Sequence, residues 1–376
     1  MITLEDEGKE IISDDVAIIN VYEKGSGIST VSLLYLESLK SILGNHVKYC
    51  QIFEANDVQS PVQDYVSLIR IFGLPRWIAV PLSRLVILPK KLETLDEKYL
   101  LLMDPTLCYH HSTSKKKRIV IIHDLRPFTK YEKMLSEKIF YIFLKEKLLK
   151  CDFYICDSFT TKNSLVKLGV DVGKIEVIYP LIVSKLDNTH LEKSLKKLKK
   201  GVFTLTYVAN DLPYKRIDFF LRIAKDYESK ITNGIELKFK LVSKNLSRRN
   251  KKSIVKSNFK NLELIQWIDN INEIYEETDL LLFPSLYEGF GLPVIEAMSF
   301  GIPVIASDID IMREVVLDSG ILCHTDSLKD WKKAIESVLS RENYIKYSKS
   351  ASLNAKRFTK DKFEKLVYRT LKKNIT

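Results

Sequence analysis

One stretch, residues 279–307, constrains the fold most: DLLLFPSLYEGFGLPVIEAMSFGIPVIAS. It opens with a short apolar run at 280–283, which is typical of a strand buried on both faces of a parallel sheet. A loop with two glycines follows, then a helical segment with Pro293 in its first turn, and 303–306 predicts the next strand. The loop therefore lies at the carboxyl end of a strand, where open α/β sheets bind ligands.

The residue types in this loop suit a ligand that carries hydroxyl and phosphate groups. Gly289 and Gly291 lack side chains, so a ligand can approach the backbone and amide N–H groups can point at its oxygen atoms. The positive end of the following helix favours an anionic group. We place Glu288 in the loop and Glu296 one turn inside the helix, and carboxylates accept hydrogen bonds from sugar hydroxyls. These residue types alone also allow a buried turn with two solvated glutamates.

The segment EGFGLPVIE, with PS before it and AMSFGIPVIAS after it, resembles the E-x7-E signature of family 4 glycosyltransferases. Those enzymes use nucleotide sugars, retain the anomeric configuration and have the GT-B fold. The resemblance implies that Glu288 contacts the transferred sugar and that Glu296 contacts the ribose of the nucleotide. It also implies that sugar and phosphate are held by the backbone amides of the loop residues Gly289, Phe290, Gly291 and Leu292.

A chain of 376 residues is long enough for two domains with separate cores. The resemblance implies an α/β GT-B architecture, in which two Rossmann-like domains face each other across an interdomain cleft. We predict an N-terminal acceptor-side domain over 1–190 and a C-terminal nucleotide-sugar-binding domain over 201–358. A basic helix at 359–376 is expected to cross back to the first domain. Residues 187–200 predict a solvated linker helix, with an anionic-membrane contact as the alternative.

A second glycine turn follows the first predicted strand, which covers residues 15–21. It contains Gly25 and Gly27, and a helical pattern begins just after it. Many turns between a strand and a helix carry such glycines, so a purely structural role remains open. The resemblance implies that Gly25 and Gly27 face the donor phosphates and the acceptor.

A predicted strand at 119–122 ends in His123 and Asp124. The resemblance of VIIHDL to the corresponding strand end of family 4 enzymes implies that His123 lies near the donor sugar and the acceptor. A structural role for this histidine remains the alternative, and Asp124 could equally cap the next segment. Ser158, which follows another predicted strand, is interpreted as a helix cap rather than an acceptor contact.

The loop after the strand at 203–208 has the sequence NDLPYKR. Family 4 enzymes usually carry an Arg here and a Lys five residues later, and both hold the diphosphate. Lys215 matches the Lys, whereas Asn210 occupies the Arg position and removes one permanent charge. We expect the adjacent Arg216 to replace that charge in part, because fixed cations stabilise the negative charge that develops on a departing diphosphate.

The composition limits the kinds of partner and the location that we expect for this protein. A net charge of +11 favours an acidic partner such as a nucleotide-sugar diphosphate, anionic lipid or nucleic acid, but no nucleic-acid recognition motif supports the last. The segment at 65–92 mixes arginines and prolines with Trp77, which predicts either short packed helices or a peripheral membrane contact. Five scattered cysteines, and an acidic N-terminus without an apolar core, favour the cytoplasm, with the cytoplasmic face of a membrane as a further option.

No metal or other cofactor is predicted. The DID sequence at 308–310 is interpreted as a loop, because it follows a strand of the second domain and no other carboxylate cluster accompanies it. The implied reaction moves a hexosyl group from a nucleoside diphosphate sugar to a glycan, glycolipid or lipid-linked acceptor, with retention. Glu288, Lys215 and His123 are its candidate catalytic residues. The alternatives are a catalytically impaired nucleotide-binding protein, an epimerase or phosphorylase of the same fold, and a nucleic-acid-binding protein.

Overall fold

The computed structural model describes residues 16–20, 27–43, 47–53, 64–67, 88–108, 115–129, 131, 142, 144–182, 189–266 and 270–375. The chain divides into two compact units, one formed by residues 1–180 with 361–376 and the other by residues 181–360. Gly25 and most of the segment at 65–92 lie outside the described residues.

The first unit is built on a parallel sheet with the spatial order β3-β2-β1-β4-β5-β6-β7. Its strands are β1 (Val16–Asn20), β2 (Val47–Phe53), β3 (Asp64–Ser67), β4 (Tyr99–Leu102), β5 (Lys117–Ile122), β6 (Phe153–Cys156) and β7 (Ile175–Val177). Its described helices before the C-terminal segment are α1 (Gly27–Leu43), α2 (Leu88–Glu93) and α3 (Phe159–Leu168). The apolar side chains of β4 and β6 are buried throughout, as is typical of parallel strands covered on both faces.

The second unit has a parallel sheet with the order β11-β10-β8-β12-β13-β14, to which β9 adds an antiparallel pairing with β10. The strands are β8 (Val202–Val208), β9 (Ile231–Thr232), β10 (Ile235–Val242), β11 (Leu262–Ile265), β12 (Leu280–Phe283), β13 (Val304–Ser307) and β14 (Ile321–Cys323). The helices are α4 (His190–Lys199), α5 (Ile217–Asp226), α6 (Arg248–Ser257), α7 (Asn272–Glu277), α8 (Leu292–Ser299), α9 (Asp310–Val316), α10 (Leu328–Val338) and α11 (Arg341–Ala355). The unit predicted at 279–307 is thus β12, a loop, α8 and β13.

The last helix, α12 (Lys360–Ile375), belongs almost entirely to the first unit. Phe363, Val367 and Leu371 recur at helical spacing and are buried. The ring of Phe363 packs edge-on against Tyr35 of α1, with 4.7 Å between the ring centroids. The apolar stripe of α12 therefore completes the core of the first unit.

Helix α4 is not a solvated linker, because its inner face is attached to the second sheet. Asp279, at the start of β12, is fully buried and accepts hydrogen bonds from the Ser194 hydroxyl at 2.6 Å and the Thr204 amide at 2.9 Å. The Lys197 ammonium lies 3.2 Å from the same carboxylate. The helix predicted in this segment is present, but the buried polar contacts assign it to the second unit.

Replacing Asp279 with asparagine should destabilise the protein, because an amide nitrogen would face groups that all donate. We expect Asp279→Asn to lower the free energy of unfolding by about 3 kcal/mol, measured by urea denaturation. Asp318→Asn, at an exposed carboxylate, should change it by less than about 0.5 kcal/mol. Equal stabilities of the two variants would mean that the Asp279 network does not hold α4.

Candidate active site

Two loops of the second unit meet at the carboxyl edge of its sheet. One follows β8 and the other follows β12, and these strands are parallel neighbours that pair Leu205 with Leu280. The Leu286 amide donates to the Tyr214 carbonyl at 2.7 Å, which ties the second loop to the first. The loops are therefore fixed to each other by backbone as well as side-chain contacts.

Lys215 and Glu288 form an ion pair between these loops. The Lys215 ammonium donates to Glu288 Oε2 at 2.6 Å, and the Glu288 side chain is only 6% exposed. The second carboxylate oxygen, Oε1, is buried and has no hydrogen-bond partner among the described residues. Because an unpaired buried carboxylate oxygen is costly, this atom suits a hydrogen-bond donor supplied by a ligand.

Buried Tyr207 contacts both loops that carry the ion pair. Its hydroxyl donates to the Lys215 carbonyl and lies 3.1 Å from the Ser285 hydroxyl. Burial, followed by the charge of Glu288, raises the pKa of Tyr207 well above its ordinary value, so the phenol stays protonated and able to donate. Tyr214 and Tyr287 pack edge-on beside the pair, with centroids 6.0 Å apart.

Glu296 lies in the second turn of α8, as predicted, and is held by a residue that the sequence interpretation did not single out. The Tyr275 hydroxyl of α7 donates to Glu296 Oε2 at 2.7 Å. Burial raises the pKa of Glu296 above its ordinary value, and the hydrogen bond from Tyr275 opposes that rise. Tyr275 thus orients this carboxylate and favours its charged form.

Among the remaining loop residues, Gly291 is required for its backbone conformation and Phe290 contributes a buried side chain. Gly291 precedes α8 with φ of 95°, a conformation that favours glycine, and a β-carbon there would lie 2.7 Å from Met312 Cε. Phe290 turns its side chain into the core, where its ring lies 5.6 Å from that of Phe358. Gly289 lies in the loop and Leu292 begins α8.

The two basic residues of the loop after β8, Lys215 and Arg216, contact different partners. Asn210 is exposed in the loop after β8, where Lys215 is the cation beside Glu288. The Arg216 guanidinium instead donates to Asp326 at 2.8 Å and lies 3.6 Å from Asp218. The assignments of Asn210 and Arg216 as donor-binding residues therefore stay predictions, and the guanidinium does not lie at the ion pair in this structure.

The first unit holds the other candidates. His123 follows β5, and its Nδ1 lies 2.7 Å from Asp157, which follows β6. Gly27 is the first residue of α1. Ser158 accepts a hydrogen bond from the Thr161 amide at 3.0 Å, which confirms its interpretation as a helix cap. Asp124 accepts one from the Arg126 amide at 2.9 Å.

The two carboxylates of the DID sequence both lie against Arg313. Asp308 accepts from Arg313 Nε at 2.6 Å, and Asp310 lies 3.0 Å from Arg313 Nη1. No group of three or more His, Cys, Asp or Glu side chains among the described residues is arranged to hold a metal ion. None of the described helices combines the length and apolar character needed to cross a membrane.

Comparison with known proteins identifies similar sequences. Residues 189–358 match the family described as "Glycosyl transferases group 1". The chain is 29% identical over 238 residues to O-antigen chain mannosyltransferase RfbU of Salmonella typhimurium, covering 62% of this chain and 64% of that relative. It is 27% identical over 314 residues to UDP-Gal:alpha-D-GlcNAc-diphosphoundecaprenol alpha-1,3-galactosyltransferase of Escherichia coli, covering 76% of this chain and 77% of that relative. The chain thus spans slightly less than two thirds of RfbU.

Solved structures with the same fold cover nearly the whole chain. Anabaena Alr3699/HepE in complex with UDP and glucose has a TM-score of 0.72 at 13% identity, covering 96% of this chain and 99% of that one. WaaG, a glycosyltransferase involved in lipopolysaccharide biosynthesis, also has a TM-score of 0.72, at 12% identity, covering 94% and 99%. These likenesses confirm the predicted GT-B fold class with two Rossmann-like units, and at such identities they bear on the fold alone.

Gly291 and Gly234 allow a matched test of the contact with Met312. Both have positive φ, but a β-carbon at Gly234 would meet nothing within 4 Å. We expect Gly234→Ala to cost about 1 kcal/mol of unfolding free energy from backbone strain alone. Gly291→Ala should cost about 2 kcal/mol, because the added methyl group also displaces the end of the buried Met312 side chain. Equal losses in urea denaturation would show that close packing does not require glycine at 291.

Proposed function

We propose that this chain is a group 1 glycosyl transferase that moves a hexosyl group from a nucleoside diphosphate sugar to an acceptor hydroxyl. The observation that carries the proposal is the Lys215–Glu288 pair at the carboxyl edge of the second sheet. One oxygen of the buried carboxylate is occupied by the ammonium, and the other has no partner among the described residues. A sugar hydroxyl would supply the missing donor, and a phosphate would be attracted to the ammonium.

The mechanism that we propose uses fixed positive charge at the leaving group. The bond between the anomeric carbon and the β-phosphate oxygen breaks while the acceptor oxygen attacks from the same face, so the configuration is retained. Lys215, the loop amides at 289–292 and the positive end of α8 stabilise the charge that develops on the departing diphosphate. The acceptor proton passes to that phosphate. Because protein groups meet the phosphate charge, no metal ion takes part in this proposal.

The nucleotide is held, in the same proposal, by the second glutamate. Glu296 accepts hydrogen bonds from the ribose diol, and the Tyr275 hydroxyl, 2.7 Å from Oε2, keeps the carboxylate oriented for that contact. The raised pKa of Glu296 has a consequence for pH. The carboxylate accepts two hydroxyls only when charged, so nucleotide affinity should fall as the pH drops through that pKa.

The acceptor that we propose is a glycan or a lipid-linked sugar. This choice rests on the names of two similar proteins, an O-antigen chain mannosyltransferase and a galactosyltransferase that acts on GlcNAc-diphosphoundecaprenol. With a lipid-linked acceptor, the reaction would take place at the cytoplasmic face of a membrane. The net charge of +11 would then favour peripheral contact with anionic lipid.

One observation favours a second candidate, a nucleotide-binding protein with impaired catalysis. Asn210 replaces a cation expected in this loop, and the Arg216 guanidinium lies against Asp326 at 2.8 Å rather than beside Glu288. A single ammonium gives the leaving diphosphate less stabilisation than two cations would. Binding without transfer or hydrolysis of any donor would support this candidate.

The central test compares two isosteric substitutions. Glu288→Gln removes the charge beside the transferred sugar, whereas Glu236→Gln alters an exposed carboxylate near the start of β10, away from the carboxyl edge. We expect a panel of UDP- and GDP-sugars to contain one donor that raises the melting temperature and is transferred or hydrolysed by the wild type. Glu288→Gln should lower that turnover at least 100-fold and Glu236→Gln by less than twofold. Full activity of Glu288→Gln would exclude the proposed role.

A further inference from the structure

The first unit carries a second buried pair at the carboxyl edge of its own sheet. Strands β5 and β6 are parallel neighbours that pair Ile122 with Cys156, so the residues that follow them, His123 and Asp157, lie side by side. The His123 Nδ1 atom lies 2.7 Å from Asp157 Oδ2. Since a carboxylate can only accept, Nδ1 carries the proton and donates it to this hydrogen bond.

Each member of the pair keeps one unsatisfied atom. His123 is 8% exposed and Asp157 is 3% exposed. The His123 Nε2 and Asp157 Oδ1 atoms are buried and have no hydrogen-bond partner among the described residues. The neighbouring Ser158 and Thr161, by contrast, bond to each other and satisfy the start of α3. A pair that served packing alone would be expected to satisfy its buried polar atoms in the same way.

The charges around His123 are mostly negative. Burial opposes its protonation, but the carboxylates of Asp157, Asp104 and Asp124 together outweigh burial and raise the pKa of His123 above its ordinary value. Burial raises the pKa of Asp124, whereas the amide and the positive charge of Arg126 lower it and favour the carboxylate. The other groups close to Asp157 are the phenol of Tyr35 and the thiol of Cys156, whose pKa values are raised chiefly by burial, so both stay neutral.

We propose that Asp157 is a positioning residue, which holds the Nδ1–H of His123 so that Nε2 is presented to a hydroxyl group of a carbohydrate substrate. The proposal rests on the proposed function for the identity of that substrate. Neutral His123 would accept a hydrogen bond from that hydroxyl at Nε2. This contact requires the Nδ1–H tautomer, which Asp157 stabilises. The hydroxyl belongs either to the transferred sugar or to the acceptor, and steady-state kinetics separate the two.

Nuclear magnetic resonance of the imidazole nitrogens tests the pair without any substrate. The resonances of His123, one of six histidines, are those that disappear in His123→Gln. In the wild type above its pKa we expect His123 to be the Nδ1–H tautomer. Asp157→Asn removes the anion that stabilises the imidazolium, so the pKa of His123 should fall to below about 6.5. An Nε2–H tautomer in the wild type would overturn the proposal, and so would an unchanged pKa in the variant.

A matched control lies at the other end of β6. Asp152 immediately precedes the strand and pairs with Arg118 at 3.3 Å, so Asp152→Asn removes a carboxylate at the opposite end of β6 from His123. It should leave the pKa of His123 unchanged. If Asp157→Asn does not fold, Asp157→Glu keeps the anion on a longer side chain. The pKa of His123 should then stay above its ordinary value, and a fall to that value would contradict the pairing.

Kinetics with the donor found for the wild type test the function of the pair. Asp157→Asn should lower turnover roughly 100-fold. The acid limb of its pH–rate profile should shift to lower pH, because neutral His123 then persists to lower pH. His123→Gln should lose as much, and adding Asp157→Asn to it should cause no further loss. Additive losses would show that Asp157 does not act through His123.

The Michaelis constants identify the hydroxyl. A rise confined to the donor assigns it to the transferred sugar, and a rise confined to the acceptor assigns it to the acceptor. If no donor is turned over by the wild type, the proposed function fails, yet the nitrogen resonances still decide whether Asp157 positions His123. If the tautomer and the pKa change of His123 are as expected but the kinetics of Asp157→Asn and His123→Gln match those of the wild type, the pair exists but does not contact the substrate.

Discussion

Parallel pairing of neighbouring strands determines where the two buried candidate pairs of this protein lie. Parallel strands end at the same edge of a sheet, so the segments that follow them are brought together whatever their distance along the chain. The pairing of β8 with β12 brings the loop of Lys215 to that of Glu288. The pairing of β5 with β6 does the same for His123 and Asp157. Apolar strand interiors provide the register, and the polar residues just beyond them form the two buried pairs.

The buried charged groups fall into two classes, according to whether their hydrogen bonds are complete. Asp279 receives donors from three groups on two elements, and this network attaches α4 to the second sheet. Glu288, His123 and Asp157 each keep a buried atom without a partner among the described residues. Incomplete pairing in a folded protein is costly, so these atoms are candidates for hydrogen bonds with a ligand.

The sequence predicted the local units well and the long-range partners poorly. Residues 280–283 form a strand as expected, because a short apolar run that ends at a proline and a glycine-containing loop is typical of a buried strand. Tyr275 was missed because its contact with Glu296 spans 21 positions and follows no periodic pattern. The bond from His123 to Asp157 spans 34 positions for the same reason. Contacts of this kind depend on strand order, which neither composition nor spacing encodes.

The return of α12 to the first unit affects the order in which the protein can fold during synthesis. Residues 181–360 form a contiguous unit and can complete their core as soon as they leave the ribosome. The first unit lacks Phe363, Val367 and Leu371 until the end of the helix has been made, and each buried side chain contributes about 1.5–3 kcal/mol. Tyr35 of α1 therefore stays partly uncovered until residues 360–375 have been synthesised.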